Sequence, residues 1–513
     1  MKVRTTKTRS GSTAVQVVEY INYKRKILAH IGSGKTEEEI SSLKVMANEW
    51  ISQNNRQLSL FPKYSDISND KSSKILSVDK CVYLGFRYNL FYEVMYNLSK
   101  EFKFHLLGEN INKILIDLVI VRLIEPTSKV RSLKFLSDYF GIEHSRRDLY
   151  RKLEDISNLK DEVESKIVSF ARDRLNFDFS MVFYDLTTLY FESFTSDDLR
   201  KIGFSKDNKT NQPQIMIGLL VNKDGFPISH QVFEGNKFEG HTMIPIIKDL
   251  MNLHNINKED ITIVADSAMI SAENIDYLLS EELNFIVGAR IANLNEELIN
   301  EISNNLKRMD NNTYRVNNQK KKNCHLITHF SDSRYRKDKH EMNKQLNKAH
   351  NLLNTSDPAQ VRKRSKFLSK ANKDKNCNQY KINNKLVNKT EKLLGIKGYY
   401  TNHKKMNNYE VIDKYYNLWQ VEKSFRISKS DLSVRPIYHF KEHAIKAHIL
   451  ICFMALAMAK YIEIKTGKSI KSNIDKLKSI TDARILNKNN NQEVLMRKEV
   501  NHDINNIIKL ITH

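Results

Sequence analysis

Between residues 178 and 291, short runs of β-branched and aromatic residues alternate with turn signals and helical stretches, and this rhythm confines the region to an α/β sheet. The runs "DFSMVFYDLTTLYF" (178 to 191), "QIMIGLLV" (214 to 221) and "PISHQVF" (227 to 233) read as strands, with Asp224-Gly225 marking a hairpin between the last two. A helix "MIPIIKDLMNLH" follows, then the strand "ITIVAD" (261 to 266), a helix "SAENIDYLLSEEL" and the strand "NFIVGA" (284 to 289). Three meandering strands followed by helix, strand, helix and strand predict an open mixed sheet covered by helices.

The first of these strands places one carboxylate, Asp185, in the middle of an apolar and aromatic run. A buried charge is costly unless something pairs with it or ligates it. A second acid, Asp266, ends "ITIVAD", at the strand end where α/β sheets usually bind ligands. Alone it reads first as a turn or helix N-cap aspartate. A third, Glu422, lies in "YYNLWQVEKSFRISKSDL". On one continuous helix Tyr415, Leu418, Glu422, Phe425 and Lys429 recur every three or four residues and line one stripe, so Glu422 is expected to point inward with the aromatics. A salt bridge to Lys423 or Arg426 is the plainer account of Glu422 taken singly. Clustered carboxylates repel one another, and the usual remedy is a hard divalent cation with oxygen ligands. Two such ions about 4 Å apart can activate a water or hydroxyl and stabilise the leaving oxygen of a phosphodiester.

These acids sit in a strongly basic chain. Its 83 Lys and Arg against 60 Asp and Glu give a formal net charge of +23 and a pI near 9.5. Such an excess attracts polyanions, nucleic acid first, although a general richness in Lys, Asn and Ile supplies part of it. Acids on a sheet inside a basic protein point to metal-dependent chemistry on DNA or RNA.

At 513 residues the chain exceeds one ordinary core, and 7 Pro and 15 Gly argue against a linker-rich protein. Residues 1–75 read as a small basic β/α module. Residues 76–175 read as a helical region suited to DNA binding, where Arg146, Arg147, Arg151 and Lys152 face either phosphates or solvent. Residues 176–291 form the first part of the sheet core. The Lys, Arg and Asn-rich segment 292–397 reads as a basic insertion domain with helices around 336 to 353 and 358 to 372. Residues 398–465 complete the core and carry the Glu422 helix, and 466–513 form a helical tail.

Several signals exclude alternatives. Cys81, Cys324, Cys377 and Cys452 lie far apart without zinc-ligand spacing, which fits reduced cysteines in a cytosolic protein. The N-terminus has no apolar core of a signal peptide, and "ILICFMALAMA" (449 to 459) is about half a membrane span, reading as a buried helix. "HIGSGKTEEE" mimics a phosphate-binding loop, but Ala29 stands where the pattern needs its first glycine. The simpler reading is a glycine turn and a helix capped by Thr36 with Glu39 three residues on. No nucleotide cofactor is expected.

The strand order, the acid in the first strand, the acid ending the fourth and a glutamate on a later helix resemble the ribonuclease H-like fold of DDE transposases. Within them the chain is similar to the insertion-sequence transposases of the fourth family, whose signature runs Tyr, two residues, Arg, three residues, Glu, six residues, Lys. Tyr415, Glu422 and Lys429 match it in register, and Leu418 stands at the Arg position. "EPTSK" (125 to 129), "GFSKDNKTNQPQIMIGLLV" (203 to 221), "VADSAMIS" (264 to 271) and "RPIYHF" (435 to 440) add to the likeness, which spans about 100 to 460. The family also places an insertion domain before the glutamate.

The resemblance implies a ribonuclease H-like catalytic core in which Asp185, Asp266 and Glu422 hold two Mg2+ ions, with Mn2+ able to substitute. It implies cleavage of double-stranded DNA at element ends and joining of the 3′-hydroxyl ends to a target, with no covalent protein–DNA intermediate. Tyr415 and Lys429 would contact phosphates of the transferred strand. Leu418 removes one phosphate contact, so the local grip falls to Arg426, Lys423 or Gln420, and Lys206 could touch backbone phosphate or belong to a turn. Paired-end cutting implies a homodimer on DNA, in the cytoplasm at the nucleoid, without a membrane. Two other readings stay open: a nuclease of this fold without strand transfer, and an inactive remnant that only binds DNA.

Overall fold

The computed structural model describes residues 1–8, 11–21, 24–54, 81–108, 110–193, 195–203, 211–269, 271–317, 324–354, 366–370, 380–488 and 491–512. The chain forms two compact units. The first holds Met1–Val94, Phe135–Ile142 and Asp475–Asn506, and the second holds Met95–Lys134, Glu143–Ile474 and Ile507–His513.

In the first unit β1 (Lys2–Lys7), β2 (Thr13–Ile21) and β3 (Lys24–Gly34) form an antiparallel sheet in that order. The helix Glu37–Asn54 packs on one face of it around Val15, Val17, Ile31, Leu43 and Ala47. The helix starts as its sequence predicts. The Glu39 amide donates to Thr36 Oγ1 at 3.3 Å, and the Glu39 carboxylate accepts from the Thr36 amide at 3.3 Å and the Lys35 amide at 2.6 Å. The amides that a phosphate would need are therefore occupied by the chain's own acid.

A second small sheet corrects two expectations. β4 (Cys81–Arg87) is a strand inside the stretch expected to be helical, and it pairs with Asp482–Asn487, which pairs in turn with Gln492–Arg497. The tail 466–513 is thus only partly helical. β4 and Gln492–Arg497 are half-exposed or exposed along their length, so neither shows the alternation that makes strands legible. A bidentate Arg484–Glu493 pair and an Arg497–Asp482 pair cross the hairpin.

The second unit is built on an eight-stranded mixed sheet. Its strands are β5 (Val182–Tyr190), β6 (Gln214–Val221), β7 (Pro227–Glu234), β8 (Thr262–Ala265), β9 (Asn284–Ala289), β10 (Thr313–Asn317), β11 (His325–Phe330) and β14 (Ile396–Thr401), with a separate ribbon of β12 (Leu368–Lys370) and β13 (Tyr380–Ile382). The order is β10-β11-β14-β9-β8-β5-β6-β7. β5, β8 and β9 run parallel, and β6 is antiparallel to β5, so the first five strands stand in spatial order 3-2-1-4-5.

Residues 292–397 do not stand apart from this sheet. β10 and β11 extend it beyond β14, around a core of Ile302, Leu306, Val316, Leu326, Phe330 and Ile396. The helix expected around 336 to 353 is present as Asp332–Leu353, whereas Leu368–Lys370, inside the helix expected at 358 to 372, is a strand. Residues 358–365 and 371–372 of that expected helix lie outside the described residues.

The apolar helix expected near 449 to 459 spans Glu442–Thr466. It is long and apolar enough to cross a membrane, yet it is buried against the helices Asn112–Ile124, Arg146–Asn158 and Lys160–Leu175 and against β7. His448, whose Nε2 donates to the Val434 carbonyl 2.9 Å away, and His439 are buried beside it. Not every buried acid is a site: Glu164, fully enclosed, accepts from Ser229 Oγ (3.0 Å), the His230 amide (2.9 Å) and Lys160 Nζ (3.1 Å). Burial pushes its carboxyl up, but the His230 side chain, then the Lys160 ammonium and the His230 amide, hold it below the ordinary range.

Candidate active site

The register of the sheet brings two of the three acids together. β5 and β8 pair in parallel through Val182↔Ile263, Phe183↔Val264 and Tyr184↔Ala265. One residue further on, Asp185 stands beside Asp266, on strands about 4.8 Å apart and on the same face of the pleat. The same row continues through Gly288 of β9 and Tyr399 of β14, since Ala265 pairs with Val287 and Gly288 pairs with Tyr399. Asp185 and Asp266 are both half-buried.

Tyr415 fixes the second acid. Its ring is buried, and its hydroxyl donates to Asp266 Oδ1 at 2.9 Å. The Ser267 amide donates to the same oxygen at 2.6 Å. Arg290 steadies this turn by donating to the carbonyls of Ser267 (2.9 Å) and Ala268 (3.1 Å). Gly288 makes the phenol's approach possible, because a Cβ there would lie 2.6 Å from Tyr415 Oη. Burial pushes the Tyr415 phenol well up, and the charges of Asp266, then Glu422 and Asp185, push it the same way. All three predicted acids therefore act on one buried hydroxyl.

Glu422 arrives on a helix that differs from the expected one. Asn408–Tyr416 and Trp419–Ser430 are two helices joined by a tight turn, in which the Leu418 amide donates to the Tyr415 carbonyl (3.0 Å) and the Val421 amide to the Leu418 carbonyl (3.2 Å). Three-residue bonds wind the chain more tightly than the 3.6 residues of an α-helix and rotate the second helix relative to the first. Tyr415, Leu418 and Phe425 stay buried, with Val421 and Ser424, while Glu422 is exposed rather than inward. The second helix packs on the face of β5 and β6 that bears Asp185, where Phe425 and Lys429 meet Thr187, Leu189, Ile217 and Leu219 around a cavity of about 30 Å³. Its first turns rest on the β6–β7 hairpin: Ser424 Oγ donates to the Gly225 carbonyl at 2.6 Å, and Gly225 sits at φ 76° with its Cα facing the Gln420 carbonyl.

The other predicted contacts separate. Tyr415 spends its hydroxyl on Asp266 inside the fold and does not present it at the surface. Lys423 pairs with Glu463 at 3.0 Å, and Glu463 also takes Lys460 at 2.6 Å, so Lys423 is tied to the neighbouring helix. Arg426 is exposed and Lys429 half-buried. Lys206 lies outside the described residues. Leu418, at the signature arginine's place, is 7% exposed. Arg151 and Lys152 both pair with Asp148 of their own helix, whereas Arg146 and Arg147 are exposed.

Sequence reasoning missed Lys397, the second residue of β14. Its ammonium lies 4.6 Å from the Tyr415 ring centroid and 5.6 Å from those of Tyr399 and Tyr416. Burial lowers its pKa, then Arg334, while Asp266 and Glu422 oppose the shift. Behind it His329 bridges Tyr399 Oη (3.2 Å) and Tyr416 Oη (3.0 Å), and burial together with Lys397 holds it neutral with a pKa of about 4. The only signal available in sequence was a lysine near the start of the short strand "IKGYYT".

Asp185 and Asp266 at the row, with Glu422 on the facing helix, offer carboxylates without thiolate or imidazole, which suits a hard cation such as magnesium or manganese. As the side chains lie, no three acids, histidines or cysteines among the described residues stand close enough to hold one.

A model of the transposase DDE domain matches residues 178–458. No curated protein matches the chain. Among solved structures, the cryo-EM structure of the piggyBac transposase synaptic complex with hairpin DNA is similar at 11% identity and a TM-score of 0.38, covering 76% of this chain and 78% of that one.

Proposed function

This chain belongs to the family of transposases that carry the DDE domain, and from that premise we propose that it cuts double-stranded DNA at the ends of an insertion sequence and joins the freed 3′ ends to a target. The observation that carries the reading is the row itself: Asp185 and Asp266 adjacent in parallel register, with Glu422 acting on the same buried phenol. The strand order 3-2-1-4-5 supports reading this sheet as a ribonuclease H-like core.

Asp185, Asp266 and Glu422 would hold two Mg2+ ions, or Mn2+ in their place. Such ions supply Lewis-acid activation of the attacking oxygen and charge neutralisation at the phosphate. The chain's own contribution is placement. Tyr415 and the Ser267 amide hold Oδ1 of Asp266, the strand holds Asp185, and the exposed Glu422 closes the site from the helix side. Hydrolysis at an element end leaves a 3′-hydroxyl, which then displaces a bridging oxygen in the target strand. Lys429 over the Asp185 face and the exposed Arg426 are positioned for phosphates of the bound strand. Cutting two ends implies a dimer on DNA, acting in the cytoplasm at the nucleoid.

The test is a strand-transfer assay with duplex ends taken from the DNA flanking the reading frame. Wild-type protein with Mg2+ should yield joined product, and Asp185→Asn, Asp266→Asn or Glu422→Gln should abolish it while leaving DNA binding intact. Cleavage without joining would establish the nuclease reading. Binding without any cleavage would establish the remnant.

A further inference from the structure

We propose that the face of the β1–β2–β3 sheet turned away from its helix docks in the major groove of duplex DNA and reads base edges; this rests on the DNA-transposase reading above.

The module separates its charges by element. The strands β1, β2 and β3 hold six Lys and Arg against one acid, Glu19. The helix Glu37–Asn54 holds four Glu against one Lys. Alternation along the strands then sorts the faces. Val3, Val15 and Val17 point at the helix. Their neighbours Lys2, Arg4, Gln16 and Tyr20 point away from it. The registers set Arg4 beside Gln16 and Gln16 beside His30, and set Tyr20 beside Arg25. Glu19 lies on the helix side, so the outer face carries cations, an amide, an imidazole and a phenol around the buried Ala14 and Val18, and no carboxylate. His30 and Arg25 are exposed, Tyr20 is 61% exposed and Ile27, on the same face, 48%.

The size and chemistry match one partner. Three strands about 4.8 Å apart span roughly 10 Å, and the major groove is about 12 Å wide. Arg is suited to guanine, Gln to adenine, and an exposed aliphatic such as Ile27 to the thymine methyl. Lys2 and Arg25 at the strand ends lie where the flanking phosphates would run, which fits a β-sheet reader in the groove.

The experiment uses the full chain and a duplex pool with a randomised 20-base-pair core, about two helical turns, to select the preferred sequence. Binding is then measured by fluorescence anisotropy for that duplex and a scrambled one. Arg4→Ala and Gln16→Ala are each expected to weaken the selected duplex roughly 5- to 150-fold, with less change on the scrambled one. Arg25→Ala should weaken both about equally and reduce the salt slope by about one. Glu19→Ala on the opposite face and the conservative Arg4→Lys, with circular dichroism for each variant, separate reading from folding. If the combined Arg4, Gln16 and Arg25 variant is folded and binds the selected duplex like wild type, or if Arg146→Ala/Arg147→Ala alone abolishes the preference, the sheet assignment is overturned and the transposase reading stands. If wild-type protein retains no duplex, the transposase reading falls and takes this proposal with it.

Discussion

Gly288→Ala should expose how tightly the acid site depends on one phenol. The added Cβ would lie 2.6 Å from Tyr415 Oη, 3.1 Å from the Ser267 amide nitrogen and 3.2 Å from Ser267 Cβ. Non-bonded carbons prefer about 3.5–4.0 Å, so the phenol must yield. Overpacking of this kind costs about 1–3 kcal/mol. Tyr415→Phe removes instead the hydroxyl that donates to the Asp266 carboxylate at 2.9 Å, a bond to a charged group worth about 1.5–3 kcal/mol. If the two costs were independent, the double variant would lose roughly 2.5–6 kcal/mol. They are not independent, because Tyr415→Phe deletes the very atom that the methyl group added by Gly288→Ala strikes. The contacts at Ser267 remain, so the double variant should sit near Tyr415→Phe alone, with a coupling of about 1–2 kcal/mol. Trp419 is the one tryptophan of the second unit, and a Trp50→Phe background lets its fluorescence report urea unfolding there. In parallel, Tyr415→Phe should slow metal-dependent cleavage about 10- to 100-fold, as loss of a residue that orients a metal ligand does. Equal costs for Gly288→Ala with and without Tyr415→Phe would refute the contact and the role given to Gly288.

Lys397→Ala removes a cation that acts on Asp266 and Glu422, so the metal concentration for half-maximal cleavage should fall several-fold, an effect on the order of 1 kcal/mol, while DNA affinity weakens. A metal titration at saturating DNA and an anisotropy titration check the two opposite shifts. Lys129 is 3% exposed, and burial, then Arg122, lower its pKa from 10.5 to about 7. The unfolded chain keeps that proton up to about 10.5, so between pH 7 and 10.5 unfolding takes up a proton and stability rises with pH, with the full penalty below 7. Lys129→Met should therefore raise the urea midpoint at pH 6–7 and flatten this rise relative to wild type.

Where a residue type and a period coincided, the sheet core was legible: every strand from Val182 to Ala289 lies within a run that alternates or is wholly apolar and closes on a turn residue. β4 and its partners were not legible, because β4 pairs with residues about 400 positions away and no local pattern encodes that distance. The extension by β10 and β11 was hidden by lysines and asparagines at the strand ends, which read as solvated loop. Within the site, Asp185 and Asp266 could be recognised as unusual acids, but their adjacency follows from parallel register, which no single strand carries. Composition also could not separate Glu164 from Glu422. The first is the more buried and is wholly consumed by Ser229, His230 and Lys160, and the second is exposed and is the one proposed as a metal ligand.

Leu418 shows why a signature match needs the fold beside it. Three of four signature positions are filled, and on sequence alone the leucine is a missing phosphate contact. In the structure it is 7% exposed at a turn of three-residue hydrogen bonds, on the buried side with Tyr415 and Val421. A guanidinium placed there must either be desolvated, at several kcal/mol, or reach out along its stem to water. Restoring the signature with Leu418→Arg should thus destabilise the second unit by about 2–4 kcal/mol in urea unfolding and leave strand transfer no faster, whereas Leu418→Met, which conserves volume, should cost less than about 1.5 kcal/mol. An arginine variant as stable as wild type that binds DNA more tightly would overturn this account. Position 418 would then be a phosphate-facing position whose contact this chain has lost.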